Sequence, residues 1–182
     1  MAKLISKTYG DALLELATEE NKADELLAEV TALRQVLSEN QEFLRLINNP
    51  RVDMGQKMEV VENVFRNRAS DDLTGFLLTV VSKGRFAEID SILEYFTDEV
   101  ERLNGVGKAY VTTPIALSGE EKKKVEDRLL ATTGFKSIKV SYDIDESLIG
   151  GMQIRIGDRV VDSSISTKIA KLKQSLMNTM LD

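Results

Sequence analysis

The spacing of apolar side chains changes period once along this chain, at Asn104-Gly105, and that change constrains the fold more than any other feature. Before it, apolar residues recur every three or four positions, as on amphipathic helices; after it they alternate, as on half-buried strands. The sequence therefore predicts a mainly α protein. A six-helix bundle fills residues 1–104, and a small α/β domain with a β-hairpin and a C-terminal helix fills residues 105–182. A chain of 182 residues suits one or two such domains.

The helical part reads as six segments. Ile5, Tyr9, Ala12, Leu13 and Leu16 stripe the first, over 3–18, and Leu26, Leu27, Val30, Leu33 and Leu37 the second, over 22–38. A short third segment, 41–47, ends at Asn48-Asn49-Pro50, where proline stops a helix. Asp53 caps the fourth, which runs to Arg68 with Met54, Met58, Val61, Val64 and Phe65 inward. Ser70-Asp71-Asp72 opens the fifth, carrying Leu73, Phe76, Leu77, Val80 and Val81 up to Gly84. The sixth, 86–103, is striped by Ile89, Ile92, Leu93, Phe96 and Val100.

Beyond Gly105, strands are expected over 108–113, 137–142, 152–156 and 159–161, with Gly157-Asp158 as a two-residue hairpin loop. Ser118-Gly119-Glu120-Glu121 has the form of a capping box opening a helix to Thr132, with Val125, Leu129 and Leu130 toward a core. A last helix is expected from Ile165 to Leu181, with Ile169, Leu172, Leu176 and Met180 in register.

The chain has no Cys and no His. Cysteine and triad nucleophiles, nitrogen- or sulfur-ligated zinc and a histidine proton shuttle are thereby excluded. The first 104 residues carry 12 basic and 20 acidic side chains, a net of −8, and the remainder 12 and 10, a net of +2. Neither suits a nucleic-acid partner. Phe76-Leu77-Leu78-Thr79-Val80-Val81 is too short to cross a bilayer, so no direct membrane insertion is expected.

The motifs that hint at chemistry read better as structure. Asn104-Gly105-Val106-Gly107-Lys108-Ala109 lacks the first Gly and the final Ser/Thr of a phosphate loop, and no dinucleotide fingerprint surrounds Gly150-Gly151. Asp71-Asp72 sits where a helix start favours acids, and Asp143 and Asp145 flank a turn. Lys122-Lys123-Lys124 lies among acids on a solvated face. No catalytic residue, metal site, cofactor or small-molecule substrate follows. Leu4, Leu14 and Leu78 lie off the main stripes of the first and fifth helices, which gives each helix more apolar surface than one core needs. Either those helices are buried on several sides, or they form a groove for a partner helix.

Tyr9-Gly10-Asp11-Ala12-Leu13-Leu14-Glu15-Leu16-Ala17, Asn49-Pro50 and Gly84-Arg85-Phe86 resemble motifs of the delta subunit of F-type ATP synthases. The mitochondrial counterpart of that family is the oligomycin sensitivity conferral protein. Asp145-Glu146-Ser147-Leu148-Ile149-Gly150-Gly151-Met152-Gln153-Ile154-Arg155-Ile156-Gly157-Asp158, with Val161-Asp162-Ser163-Ser164-Ile165, is similar to its C-terminal signature. The chain departs from the family pattern at Gly10, where Ala is usual, and at Glu146, where Pro is usual.

The resemblance implies a non-catalytic stator subunit at the cytoplasmic face of the cell membrane, coupling proton flow to ATP synthesis. Its N-terminal domain would hold the N-terminal helix of an alpha subunit through the first and fifth helices, here Tyr9, Ala12, Leu13, Phe76, Leu77 and Val81. Its C-terminal domain would hold b-type stalk subunits through a face assigned here to Ile154, Ile156, Val160, Leu172 and Leu176. A helical adaptor unrelated to ATP synthase is the alternative.

Overall fold

Ala2–Glu19 form the first helix, α1, in the computed structural model, which describes residues 2–157, 159–165, 167 and 169. It is followed by α2 (Ala23–Glu39), α3 (Gln41–Asn48), α4 (Met54–Phe65), α5 (Asp71–Ser82), a 3-10 turn (Phe86–Glu88) and α6 (Ile89–Leu103). The chain divides into two compact units, Met1–Glu101 and Arg102–Asp182, so the division falls in the last turn of α6 rather than at Asn104.

Side-chain caps set the starts of α4 and α5 in the first unit. The Asp53 carboxylate accepts the Gly55 N–H at 2.8 Å, and Ser70 Oγ accepts the Leu73 N–H at 3.3 Å. Ser70 is itself held by Glu29 of α2, whose Oε2 accepts both the Ser70 N–H (3.0 Å) and its hydroxyl (2.8 Å). Helix α4 ends at Phe65, three residues before the expected Arg68, and Asn67 takes a left-handed φ of +64° that asparagine tolerates.

One apolar core runs through all six helices. Leu26 and Val30 of α2, Val61 of α4, Leu73, Leu77 and Val80 of α5, and Ile92, Leu93 and Phe96 of α6 are buried within it. Each such side chain contributes about 1.5–3 kcal/mol of transfer free energy. Phe43 of α3 stands edge-on to both Phe65 and Phe86, with centroids 5.9 and 6.0 Å apart.

Helix α1 departs from its expected orientation. Its buried positions are Ser6, Gly10, Leu13 and Ala17, while Ile5, Tyr9 and Leu16 are half-buried and Ala12 is exposed. Small residues line the inner face because α6 comes close. Ser6 Oγ donates to Ser91 Oγ at 3.1 Å, the Tyr95 ring lies over Gly10, and the Tyr95 hydroxyl donates to Asp11 Oδ1 at 2.8 Å.

The second unit is a four-stranded sheet with one crossover helix. Strands β1 (Val106–Thr113), β2 (Ser137–Ile144), β3 (Gln153–Ile156) and β4 (Arg159–Asp162) lie in the order β2-β1-β3-β4. β1 and β2 pair parallel through α7 (Gly119–Thr133), while β3 is antiparallel to β1 and to β4. The Ser118 hydroxyl and the Glu121 carboxylate form the capping box that starts α7. Ile165, Thr167 and Ile169 are helical. The rest of the expected last helix, including Leu172, Leu176 and Met180, lies outside the described residues.

Candidate functional site

Three of the six side chains expected at an alpha-binding face belong to the core of the first unit. Leu13, Leu77 and Val81 are buried against neighbouring helices and are not available to a partner at the surface. Tyr9 and Phe76 are half-buried at the edge of the same core, and Ala12 is exposed. The apolar surplus noticed on α1 and α5 is also divided. Leu4 is 70% exposed, whereas Leu14 and Leu78 pack partly against the core.

In the second unit, strand register decides which side chains can act together, because residues opposite one another in a ladder share a face. Ala109 pairs with Ile156, Val111 with Ile154, and Ile154 with Val161, so these apolar residues lie on the face toward α7. Val160 pairs with Arg155 and Arg155 with Tyr110, so they occupy the opposite face. The expected grouping of Ile154, Ile156 and Val160 is therefore corrected: Val161 joins the two isoleucines and Val160 does not. Two consecutive valines give no alternation to read, and the ladder pairing supplies what the sequence leaves ambiguous.

Among the described residues, α7 leaves part of this face open. Two adjoining cavities, about 310 Å³ and 570 Å³, share Arg128, Leu129, Met152 and Ile154 in their linings and form a groove between α7 and the β3–β4 hairpin. The helix is fixed over β2 by Tyr142, whose hydroxyl bonds to the Lys122 carbonyl (3.1 Å) and to Glu126 Oε1 (3.2 Å) beneath the Lys122 ammonium. Burial, reinforced by Glu126, pushes the Tyr142 phenol up to about 12.

The hairpin is tied to the chain that follows it by Asp162. Its carboxylate accepts the Ser164 N–H (2.8 Å), the Thr167 hydroxyl (2.7 Å) and the Gln153 side-chain amide (3.2 Å). The Ser164 contact first, and Thr167 with it, lower the Asp162 carboxyl to about 2. Ser164 is buried and caps the next turn by accepting the Thr167 N–H at 3.3 Å. Gly151, at φ +84°, lies beneath this junction, where a Cβ would stand 2.9 Å from Ser164 Cα. The sequence alone marked Gly150-Gly151 as structural and gave Asp162 and Thr167 no role of their own. The Ser164-to-Thr167 spacing, an N-cap over its third helical residue, was the available signal.

Two further carboxylates hold local structure. Asp145 accepts the Ser147 N–H at 2.9 Å, a contact that lowers its pKa, and Asp72 meets the Lys22 ammonium at 3.3 Å. Lys22 also pairs with Glu20, and these partners, Glu20 first, raise its pKa. Among the described residues no group of three or more carboxylates could hold a metal ion.

The whole arrangement offers apolar faces and structural hydrogen bonds, and comparison with known proteins gives it a context. The family model described as ATP synthase delta (OSCP) subunit matches residues 5–176. The chain belongs to that family. It is 44% identical to ATP synthase subunit delta of Lachnoclostridium phytofermentans, with all of both chains covered, and 32% identical to that of Chlorobaculum tepidum, with 96% of each covered. A chain in the cryo-EM structure of the Toxoplasma gondii mitochondrial ATP synthase hexamer shares the fold. It has a TM-score of 0.75 and 19% identity, with 94% of this chain and 97% of that one covered.

As a delta (OSCP) subunit the chain is a structural, non-catalytic component of ATP synthase, with the stator role of that subunit. This replaces the alternative of an unrelated adaptor. Among the described residues no helix of the delta subunit is long and apolar enough to cross a membrane.

Proposed function

We propose that this delta subunit joins the catalytic head to the peripheral stalk at the cytoplasmic face of the cell membrane. The first unit holds the N-terminal helix of an alpha subunit and the second holds b-type stalk subunits. The observation that carries this reading is the family match over residues 5–176, which spans both units. The architecture supports it: each unit has its own hydrophobic interior, and each keeps apolar side chains at its surface. A joint that carries torque without letting go needs nanomolar affinity or better, about −12 kcal/mol. Helix-in-groove burial supplies free energy of that order.

On this reading the alpha helix touches Tyr9, Ala12 and Phe76, while Leu13, Leu77 and Val81 stay in the core beneath and hold α1 and α5 in place. Replacing the exposed Ala12 by Asp places a charge in that contact without disturbing the core. Ala12→Asp should abolish binding of an alpha N-terminal peptide in calorimetric titration while leaving the helical circular dichroism intact. Undiminished affinity would refute the placement. Capture assays with the intact chain, using the alpha peptide and a b C-terminal peptide separately, test the division of labour.

A further inference from the structure

The groove between α7 and the β3–β4 hairpin has an apolar floor and a basic rim. Val125 and Leu129 line one wall and Ile154, Ile156 and Val161 the other. Lys124, Arg128 and Arg159 stand at its edges. The acid among the lining residues, Glu121, is committed first to the cap of α7, with Lys124 as a weaker neighbour. Its carboxylate accepts the Ser118 N–H and hydroxyl at 2.9 and 2.7 Å, which holds its pKa below the usual range.

From this geometry we infer that the groove seats one amphipathic helix of the stalk whose apolar stripe is flanked by acidic side chains. The inference rests on the stalk-binding reading above and adds the seat and the charge of its occupant. From Lys124 to Thr133 the α7 wall runs about 14 Å at 1.5 Å per residue, enough for about nine residues of a docked helix. The three cations would sit beside its flanks while its stripe covers the isoleucines and Val161. The chain's own C-terminal segment is a poorer match. Residues 165–182 carry Lys168, Lys171 and Lys173 against the single acidic side chain of Asp182, so they would bring like charge to the rim.

The test uses the intact chain and three labelled probes in fluorescence anisotropy at low salt. Two are amphipathic peptides with one shared leucine stripe, flanked by Glu in one and by Lys in the other; the third is the C-terminal segment of the b-type subunit. With about twofold from each of three exposed ion pairs, the Glu peptide should bind roughly tenfold more tightly than the Lys peptide. The gap should close in about 1 M salt, and R128E/R159E should reverse the preference.

Two neighbours on β4 provide the geometric control. Val161→Asp puts an unpaired carboxylate into the groove and should weaken the Glu peptide and the b segment by about thirtyfold or more. Val160→Asp, on the opposite face, should leave both within about twofold. Equal affinity for the two designed peptides, or equal damage from both valine variants, would overturn the proposal. Binding that appears only after deletion of residues 170–182 would also overturn it, by giving the groove to the chain's own tail. A b segment that binds tightly but ignores V161D and R128E/R159E sinks the groove assignment and leaves the stator reading standing. A b segment that fails to bind the wild-type chain sinks the stalk half of that reading instead.

Discussion

Gly10→Ala should destabilise the first unit, although helix propensity alone predicts the opposite. In a helix interior, alanine is favoured over glycine by about 1 kcal/mol. Here a Cβ on residue 10 would stand 3.2 Å from Tyr95 Cε1 and 3.3 Å from Cγ, with Cδ1 closer still. The ring is pinned by the 2.8 Å bond from its hydroxyl to Asp11, so relief means moving the ring and losing that bond or pushing α1 away from α6. Overpacking of this kind costs about 1–3 kcal/mol, and the hydroxyl bond adds about 0.5–1 kcal/mol.

The net expectation is a loss of roughly 1–2 kcal/mol in the wild-type background. In a Tyr95→Ala background only the propensity remains, so the same substitution should stabilise by about 1 kcal/mol. Urea unfolding followed by circular dichroism at the helical band, on all four members of the cycle, reads both values. If Gly10→Ala stabilises the wild-type protein, or has one sign in both backgrounds, the ring does not set the spacing of α1 and α6.

Two further outcomes follow from the second unit. Asp162 has a folded pKa of about 2, below its ordinary 3.8, so its stabilising effect is complete above about pH 4 and fades as pH falls toward 2. Asp162→Asn should therefore lower Tm at pH 6, with the gap narrowing steadily as pH falls to 2; a gap independent of pH would show that the carboxylate charge is not what ties β4 to the following turn. Gly151→Ala should cost about 2–4 kcal/mol, since it meets backbone at Ser163 and Ser164 from a left-handed φ, and a Tm within a degree or two of wild type would contradict that crowding.

Much of the fold was legible because the physics that writes a stripe also buries it. All five apolar residues expected inward on α6 are buried, and the capping residues Asp53, Ser70 and Ser118 start the helices predicted from them. The α1 stripe was misread because close helix packing selects small residues. Ser6, Gly10 and Ala17 carry almost no hydrophobic signal, while the larger Ile5, Tyr9 and Leu16 fill the shoulders. The candidate sites were legible as faces but not as residue sets. Side-chain periodicity cannot tell core from contact surface, hence Leu13, Leu77 and Val81, and it cannot phase a Val-Val pair without the partner strand. The basic rim was invisible because Lys124 and Arg128 on α7 meet Arg159 only through the fold.

The placement of β1 bears on how such a subunit withstands load. It follows α6 after only Asn104 and Gly105, and of the two inner strands it has the longer pairing, eight register pairs with β2 and four with β3. Tension passed along the backbone enters the sheet at Val106, and its component along β1 loads the strand lengthwise. Cross-strand hydrogen bonds lie across that direction, so they are sheared together rather than unzipped one by one. Under such a load rupture demands that many rungs fail at once, so the incoming chain is anchored by the sheet as a whole.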